Sequence, residues 1–108
     1  MSTQFADHIV GLLQEIGPVE AKSMFGGHGI FLDGLMFGLV TDQELYLKVD
    51  DENRSEFKKR DLGPFVYEGK NRPITLSYNL APPEAIDNAG LLAEWGRSAY
   101  AAAERATR

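Results

Sequence analysis

The stretch Ile30-Phe-Leu-Asp-Gly-Leu-Met-Phe-Gly-Leu-Val40 consists of two apolar runs separated by the dipeptide Asp33-Gly34. An Asp-Gly pair between apolar runs is the strongest short-range signal for a two-residue hairpin turn, because both residues tolerate the positive φ angles that this turn needs. The stretch therefore predicts an antiparallel β-hairpin. The rest of the predicted fold is built outward from it.

The segment after the hairpin, Glu44-Leu-Tyr-Leu-Lys-Val-Asp50, alternates strictly between polar and apolar residues. Because successive side chains of a strand point to opposite faces, one face of this strand is predicted to be buried and the other to face water. The buried side chains are predicted to be Leu45, Leu47 and Val49. The sequence thus indicates a sheet with one covered face and one open face.

Two further strands are predicted at residues 65–67 and 72–78, joined around residues 68–71. On the second of them, the apolar face is predicted to consist of Ile74, Leu76 and Tyr78. Pro73 is expected at the first residues of its strand or at a sheet edge, because proline donates no ladder hydrogen bond.

Helical patterns flank these strands. Residues 2–16 carry apolar side chains at helical spacing, and Gly17-Pro18 ends that pattern. A second helix is predicted from a cap at Asp50 or Asp51 to about Arg60, with acidic residues in its first turn and basic residues in its last.

A last helical segment is predicted after Pro82-Pro83, and Gly96 within it indicates close packing against another element. The predicted order is α-β-β-β-α-β-β-α. This is an α+β fold with a single antiparallel sheet packed with helices. One domain over residues 1–108 is expected, with residues 104–108 frayed.

Composition restricts the function. The chain has no cysteine, which excludes disulfides, thiolate metal sites and cysteine nucleophiles and fits a reducing compartment. It lacks a signal-peptide pattern and a membrane-length apolar run, so a cytoplasmic protein without a membrane partner is expected. Its net charge of −5 disfavours direct binding to nucleic acid.

The glycine-rich stretch before the hairpin does not match the motifs that bind phosphate or an oxyanion. Neither phosphate-loop spacing is present, and a strand follows Gly29 where a helix would be required. His28 has no accompanying G-x-S-x-G serine, and it forms no metal-ligand spacing with His8. No catalytic, cofactor-binding or metal-binding residue is therefore predicted. The structural motif comprises Met24, Phe25, Gly26, Gly27, Gly29, Asp33 and Gly34, with Gly26, Gly27 and Gly29 permitting a bulge or a close backbone approach.

Two surfaces are candidates for binding. Amphipathic side chains on the open face of the sheet suit a protein interface, and these are Tyr46, Lys48, Tyr67, Thr75 and Ser77. The basic run Lys58, Lys59 and Arg60 is the candidate for nucleic acid, although a helix C-terminus also explains such a run.

Over roughly residues 20–103 the chain resembles the N-terminal domain of the TfoX/Sxy family of bacterial competence regulators. The resemblance is carried by Met24-Phe-Gly-Gly-His-Gly-Ile-Phe31, Asp33-Gly-Leu-Met-Phe-Gly-Leu39, Glu44-Leu-Tyr-Leu-Lys-Val-Asp50, Asn53-Arg54, Pro64-Phe-Val-Tyr67, Leu76-Ser-Tyr78 and Leu92-Ala-Glu-Trp-Gly-Arg-Ser-Ala99. It implies a two-layer fold akin to type III secretion chaperones. It also implies a role as a transcriptional coactivator with the cyclic-AMP receptor protein, with no catalytic residue to carry over. In this family a C-terminal domain follows, and none is expected after Arg108.

The expected function is a non-enzymatic regulatory or adaptor domain that binds a protein, whose identity is unknown, and that forms a homodimer. Two alternatives stay open. One is a small-molecule-binding or enzymatic domain with a pocket that the sequence does not display. The other is a DNA-binding accessory protein acting through Lys58, Lys59 and Arg60.

Overall fold

The computed structural model describes residues 3–24 and 26–108, and within them the chain forms one six-stranded antiparallel sheet and three α-helices. In chain order the elements are α1 (Gln4–Leu13), β1 (Glu20–Met24), β2 (Gly27–Leu32), β3 (Leu35–Thr41), β4 (Glu44–Lys48), α2 (Arg54–Lys59), β5 (Pro64–Glu68), β6 (Pro73–Leu80) and α3 (Ala89–Ala106). Short 3-10 helices lie at Gln14–Ile16 and Pro83–Ala85. The strand order is β1-β2-β3-β4-β6-β5. The predicted α+β class with a single antiparallel sheet is confirmed.

The strand β1 is absent from the predicted order. Its residues pair with β2, with Glu20 opposite Phe31 and Met24 opposite Gly27. Gly27 and Gly29 therefore lie in the second strand of the sheet, and Gly26 belongs to the turn before it. The sequence Glu-Ala-Lys-Ser-Met has no regular alternation of apolar residues, so the pattern gave no strand signal. Pairing with a neighbouring strand outweighs that weak local preference.

The predicted hairpin is formed by β2 and β3. Its turn residues have positive φ angles, +52° at Asp33 and +79° at Gly34, as the two-residue turn of this hand requires. The register shifts inside the hairpin, because Ile30 pairs with Gly38 while Phe31 pairs with Met36. The extra residue, Phe37, lies in the bulge, where it is buried in the core.

The helices cover one face of the sheet. α3 packs on β3 and β4, and α1 packs against α3. The Phe37 ring meets the Tyr100 ring edge-on at a centroid distance of 5.6 Å. A Cβ on Gly96 would lie 2.8 Å from Leu13 Cδ2, so the predicted close packing at this glycine is confirmed. The predicted buried side chains of β4, Leu45, Leu47 and Val49, are all in this core.

The second helix is shorter than predicted. Asp50 Oδ1 accepts hydrogen bonds from the backbone N–H groups of Glu52 and Asn53, at 3.0 and 3.3 Å. Asp50 therefore caps a turn that precedes the helix, and α2 itself begins only at Arg54. Acidic residues after a strand signal a cap, but they do not reveal whether a turn intervenes.

The end predicted to be frayed, residues 104–108, overlaps the last turn of α3. α3 continues to Ala106, and Arg105 forms a two-bonded ion pair with Asp50. Arg105 Nε donates to Asp50 Oδ2 at 2.6 Å, and Nη2 donates to Oδ1 at 2.9 Å. This pair holds the last helical turn against the end of β4. None of the helices in the described part of the chain is long and apolar enough to cross a membrane.

Candidate functional site

The face of the sheet opposite the helices contains an apolar cleft of about 220 Å³. One side is formed by the first three strands, with Met24, Gly27, Met36, Leu39 and Thr41. The other side is formed by the β5–β6 hairpin, with Phe65, Tyr67, Ile74 and Leu76. Strands from opposite ends of the sheet order therefore face one another. The sheet is curved around its uncovered face, as strand twist favours.

Strand alternation determines which side chains reach this cleft. Gly29 pairs with Leu39, and Leu39 pairs with Tyr46, so these three residues share the open face. Their neighbours along the strands, such as Leu45 and Leu47, point to the helices and are at most 1% exposed. One strand therefore contributes to the core with one side and to the cleft with the other.

Glycines make room on the open face. A Cβ on Gly29 would lie 2.6 Å from Met24 Sδ and 3.1 Å from Met36 Sδ, so both thioethers occupy the place of the missing side chain. A Cβ on Gly27 would lie 2.2 Å from the carbonyl oxygen of Val40, which is backbone and cannot move aside. Gly27 and Gly29 thus allow neighbouring groups to approach the backbone closely, and methionine side chains line the resulting cleft. Phe25, another residue of the predicted motif, lies outside the described residues.

The methionines give this cleft a particular character. The thioether side chain is unbranched and polarizable, and it adapts to irregular partners. Surfaces rich in methionine therefore accept apolar groups of varied shape. The aromatic wall opposite is more rigid, because the Phe65 and Tyr46 rings meet at 5.1 Å with an interplanar angle of 61°.

Large apolar side chains are exposed on the β5–β6 hairpin. The exposed fractions are 43% for Val66, 42% for Tyr67, 45% for Ile74 and 36% for Leu76. Three of these residues line the cleft, whereas Val66 alternates with Phe65 and Tyr67 and points away from it. Concentrated apolar exposure on one hairpin is typical of a binding surface.

The predicted interface residues do not form one surface. Tyr67 lines the cleft, and Tyr46 lies beside it against Phe65. Thr75 and Ser77 instead line a separate groove of about 530 Å³ next to α2. Lys48 Nζ donates to Ser77 Oγ at 2.7 Å, which ties Lys48 to that second group.

The predicted apolar face of β6 is not buried in its outer part. Ile74 and Leu76 face the open cleft and are partly exposed. Alternation separates two faces without showing which one a helix covers. Among residues 3–24 and 26–108, no helix packs on β5 or β6 as extensively as α3 packs on β3 and β4.

Two tyrosines of the open face have raised pKa values. Burial, together with a hydrogen bond from Tyr46 Oη to Glu44 Oε1 at 3.1 Å, raises the pKa of Tyr46. Burial raises the pKa of Tyr78 to about 12, and the Lys48 ammonium lies 5.3 Å from its ring centroid. Both hydroxyls are therefore neutral at physiological pH and act as hydrogen-bonding groups without charge.

The basic run on α2 does not form one patch. Lys59 Nζ lies 3.4 Å from Glu56 Oε2, and Arg60 Nη1 lies 2.5 Å from Glu84 Oε2. Lys58 lines the groove beside α2. Two of the three candidate cations are therefore partly neutralised by carboxylates, which weakens their attraction for a polyanion.

The most strongly perturbed carboxyl is Asp50. The Arg105 guanidinium and two backbone N–H donors lower the pKa of Asp50 to about 2. Next to it, the buried side chain of Asn53 accepts a hydrogen bond from the Asp50 N–H and donates to the carbonyl oxygen of Lys48. These bonds join β4, α2 and α3, so this cluster is structural. Asp50 and Asn53 belong to the motifs that carry the family resemblance, but the sequence did not indicate that they join these three elements.

Histidines and carboxylates are dispersed over the fold. Within residues 3–24 and 26–108, no group of three or more His, Cys, Asp or Glu side chains lies close enough to hold a metal ion. His8 Nε2 lies 2.7 Å from the carbonyl oxygen of Ile86 and 3.2 Å from Asp87 Oδ1. His8 thus links α1 to the segment before α3.

Comparison with known families agrees with this architecture. The family model described as the TfoX N-terminal domain matches residues 11–103 of the chain. The chain belongs to the TfoX N-terminal domain family. The match includes β1, the cleft glycines Gly27 and Gly29, and most of α3. The predicted resemblance to this family is confirmed. The likeness to type III secretion chaperones stays a prediction.

Two curated relatives are similar to this TfoX N-terminal domain. DNA transformation protein TfoX1 of Aliivibrio fischeri (strain ATCC 700601 / ES114) is 31% identical over 72 residues, which is 67% of this chain and 34% of the relative. Protein Sxy of Escherichia coli (strain K12) is 30% identical over 66 residues, which is 61% of this chain and 32% of that protein. The matched part thus spans about a third of each relative's length.

Proposed function

We propose that this TfoX N-terminal domain is a non-enzymatic regulatory or adaptor module that binds a protein partner through the apolar cleft of its open face. The supporting observation is the cleft between Met24, Met36 and the exposed side chains Tyr67, Ile74 and Leu76. Apolar side chains that the fold does not bury, gathered in one concave place, favour burial against another molecule.

The chemistry of the cleft supports binding over catalysis. Among the described residues that line it, only Thr41 and Tyr67 have polar side chains, and no carboxylate, histidine or lysine accompanies them. Acid–base or nucleophilic catalysis requires such groups to converge on one reacting atom. The strongly shifted carboxyl, Asp50, is instead held in its ion pair with Arg105.

A role in DNA transformation is the biological part of the proposal. The name of the Aliivibrio fischeri relative associates that protein with DNA transformation. We propose that the present domain regulates the same process in the cytoplasm by holding a partner protein. The ion pairs of Lys59 and Arg60 favour this mode over direct contact with DNA.

Affinity capture with two matched variants tests the proposed function. Ile74→Glu introduces a charge into the cleft, whereas Val66→Glu introduces the same charge on the same hairpin, at a residue 43% exposed that does not line the cleft. A protein retained from the source cell lysate by the wild type and by Val66→Glu, but lost with Ile74→Glu, is the expected result. Identical captured proteins for all three baits would refute binding through the cleft.

The predicted homodimer is tested separately. Light scattering at micromolar concentration distinguishes a monomer of 11.9 kDa from a particle of twice that mass. A dimer is expected to be sensitive to Ile74→Glu if the cleft forms its interface. A monomeric mass at all concentrations would remove the homodimer and leave the cleft to a different partner.

A further inference from the structure

Both edge strands of the sheet contribute to the cleft. β1 and β5 stand at the two ends of the strand order. Met24 of β1 and Tyr67 of β5 nevertheless line the same cavity. The sheet is therefore curved like an open barrel, with its two edges on opposite sides of one apolar gap. An edge strand beside an apolar gap is the arrangement used in recognition by strand addition.

The hydrogen-bonding direction along β5 can be deduced from its hairpin. Gly69 N–H donates to the carbonyl oxygen of Arg72 at 3.1 Å, which makes these two residues a hydrogen-bonded pair. Paired positions alternate between bonded and non-bonded in an antiparallel ladder. Glu68 opposite Pro73 and Val66 opposite Thr75 are accordingly non-bonded pairs. The backbone groups of Val66 and Glu68 therefore point away from β6, toward the open edge.

The size of the cleft restricts its occupant. Pockets that enclose a drug-sized ligand measure about 300–1,000 Å³, and this cleft measures about 220 Å³. That volume suits one or two large apolar side chains. Occupation by side chains, with the rest of the ligand lying outside, is therefore better matched than enclosure of a whole small molecule.

A second copy of the chain is a poorer occupant than a short segment. A stable dimer buries about 800 Å² on each partner. The three hairpin side chains that line the cleft, Tyr67, Ile74 and Leu76, are only 36–45% exposed. Even at the roughly 150–250 Å² of a large aromatic side chain, their combined exposed area stays well below that figure. The apolar surface is sufficient for a peptide anchored by one or two side chains.

Resting on the protein-binding function above, we propose that the cleft recognises an extended peptide segment of its partner that adds as a strand to β5. The backbone of this segment bonds to Val66 and Glu68. Its alternate side chains point into the cleft, where a bulky apolar residue contacts Met24, Met36 and Ile74. Main-chain bonds supply affinity for any extended segment, and the cleft supplies selection for the apolar anchor.

Selection of short linear peptides displayed on phage, with the full chain as bait, provides the probe. Enriched sequences are expected to share one bulky apolar residue within an alternating, β-prone segment. The most enriched peptide is then synthesised with a fluorescent label, and its dissociation constant is measured by fluorescence anisotropy. Failure of any peptide to bind above background would overturn the proposal.

Two pairs of variants separate the anchor from the backbone bonds. Ile74→Glu is expected to weaken peptide binding by about tenfold or more relative to Val66→Glu, which places the same charge on the side of the hairpin away from the cleft. Glu68→Pro removes an outward N–H while leaving the β5–β6 bonds intact, and is expected to weaken binding by about tenfold. Its matched variant Glu68→Ala keeps that N–H, so the expected tenfold loss is measured between Glu68→Pro and Glu68→Ala.

Amide hydrogen exchange provides a measurement without substitution. Addition of the peptide to wild-type protein is expected to slow exchange at the Val66 and Glu68 amides. Equal peptide affinity for Glu68→Pro and Glu68→Ala, or unchanged exchange at both amides, would overturn strand addition. If Ile74→Glu still loses the captured partner in that case, the proposed function stands and only the binding mode fails.

Discussion

The two faces of the sheet use the same strands for opposite purposes. On the helix-covered face, Phe37 and Leu47 are fully buried, at 0% exposure. On the open face, Ile74 and Leu76 are 45% and 36% exposed although they are equally apolar. The difference lies in α3, which packs on β3 and β4, whereas no helix of the described residues packs as extensively on the β5–β6 hairpin. Apolar sequence alone therefore does not identify the core.

This contrast separates stability from binding. Residues between the sheet and α3 are enclosed, so their removal leaves cavities. The exposed side chains of the cleft wall, such as Ile74 and Leu76, should lose little when truncated, because water already reaches them. Substitutions on the covered face are therefore expected to lower stability, and substitutions on the open face to lower binding.

The largest expected effect is at Phe37, whose ring is buried against Tyr100. Phe37→Ala should lower the free energy of unfolding by about 3–5 kcal/mol, because it leaves a cavity under α3. Ile74→Ala on the open face should lower it by less than about 1 kcal/mol. Urea unfolding followed by circular dichroism measures both. Equal losses for the two variants would mean that the faces do not differ as described.

A smaller loss is expected at the ion pair that fixes the end of α3. Lowering the pKa of Asp50 from 3.8 to about 2 corresponds to about 2 kcal/mol of stability. Because the folded pKa lies below the unfolded one, this contribution is complete above about pH 4 and is lost as the pH falls toward 2. Asp50→Asn should therefore unfold more easily at neutral pH by about 2 kcal/mol.

The pH dependence provides the control for this prediction. The difference in stability between wild type and Asp50→Asn should shrink between pH 4 and pH 2, since Asp50 loses its charge progressively as the pH approaches its folded-state pKa of about 2. A difference that stays constant over this range would show that the Asp50 charge is not the source of the effect.

Glycine 29 tests how the cleft is made. Gly29→Ala places a Cβ within 2.6 Å of Met24 Sδ and 2.8 Å of Phe31 Cε1, which are side-chain ends that can shift. The expected cost is about 1–2 kcal/mol of stability, with a narrower cleft. Calorimetric melting measures the cost, and methyl NMR shifts of Met24 and Met36 report the change in the cleft. Unchanged methionine signals would contradict the placement of both thioethers against Gly29.

The smallest expected effect is at Lys48, whose ammonium donates to an exposed serine hydroxyl. Lys48→Ala should change the free energy of unfolding by no more than about 0.5 kcal/mol, because exposed polar contacts replace similar bonds to water. A loss above about 1 kcal/mol in urea unfolding would indicate that the bond to Ser77 is not a surface contact.

Local patterns predicted the elements that carry strong chemistry. The Asp33-Gly34 turn, the alternation of β4 and the close packing at Gly96 were each read from residues whose physical options are few. The family, too, was recognised from the motifs around them, and the match over residues 11–103 confirms it.

The missed features depend on partners distant in sequence. β1 exists because β2 pairs with it, and α3 extends to Ala106 because Arg105 reaches Asp50 across the fold. The cleft was not predicted, because it combines residues from strands at opposite ends of the sheet. Alternation along β6 placed Ile74, Leu76 and Tyr78 on one apolar face, but it could not show whether a helix covers that face.

The most direct test of the central claim is the free energy of unfolding of the double variant Ile74→Ser, Leu76→Ser. If the wall of the cleft is a binding surface, the double variant should lie within about 1.5 kcal/mol of wild type and unfold with the same cooperativity. A loss of about 4 kcal/mol or more, comparable with Phe37→Ala, would show that these side chains belong to the core and would contradict the account.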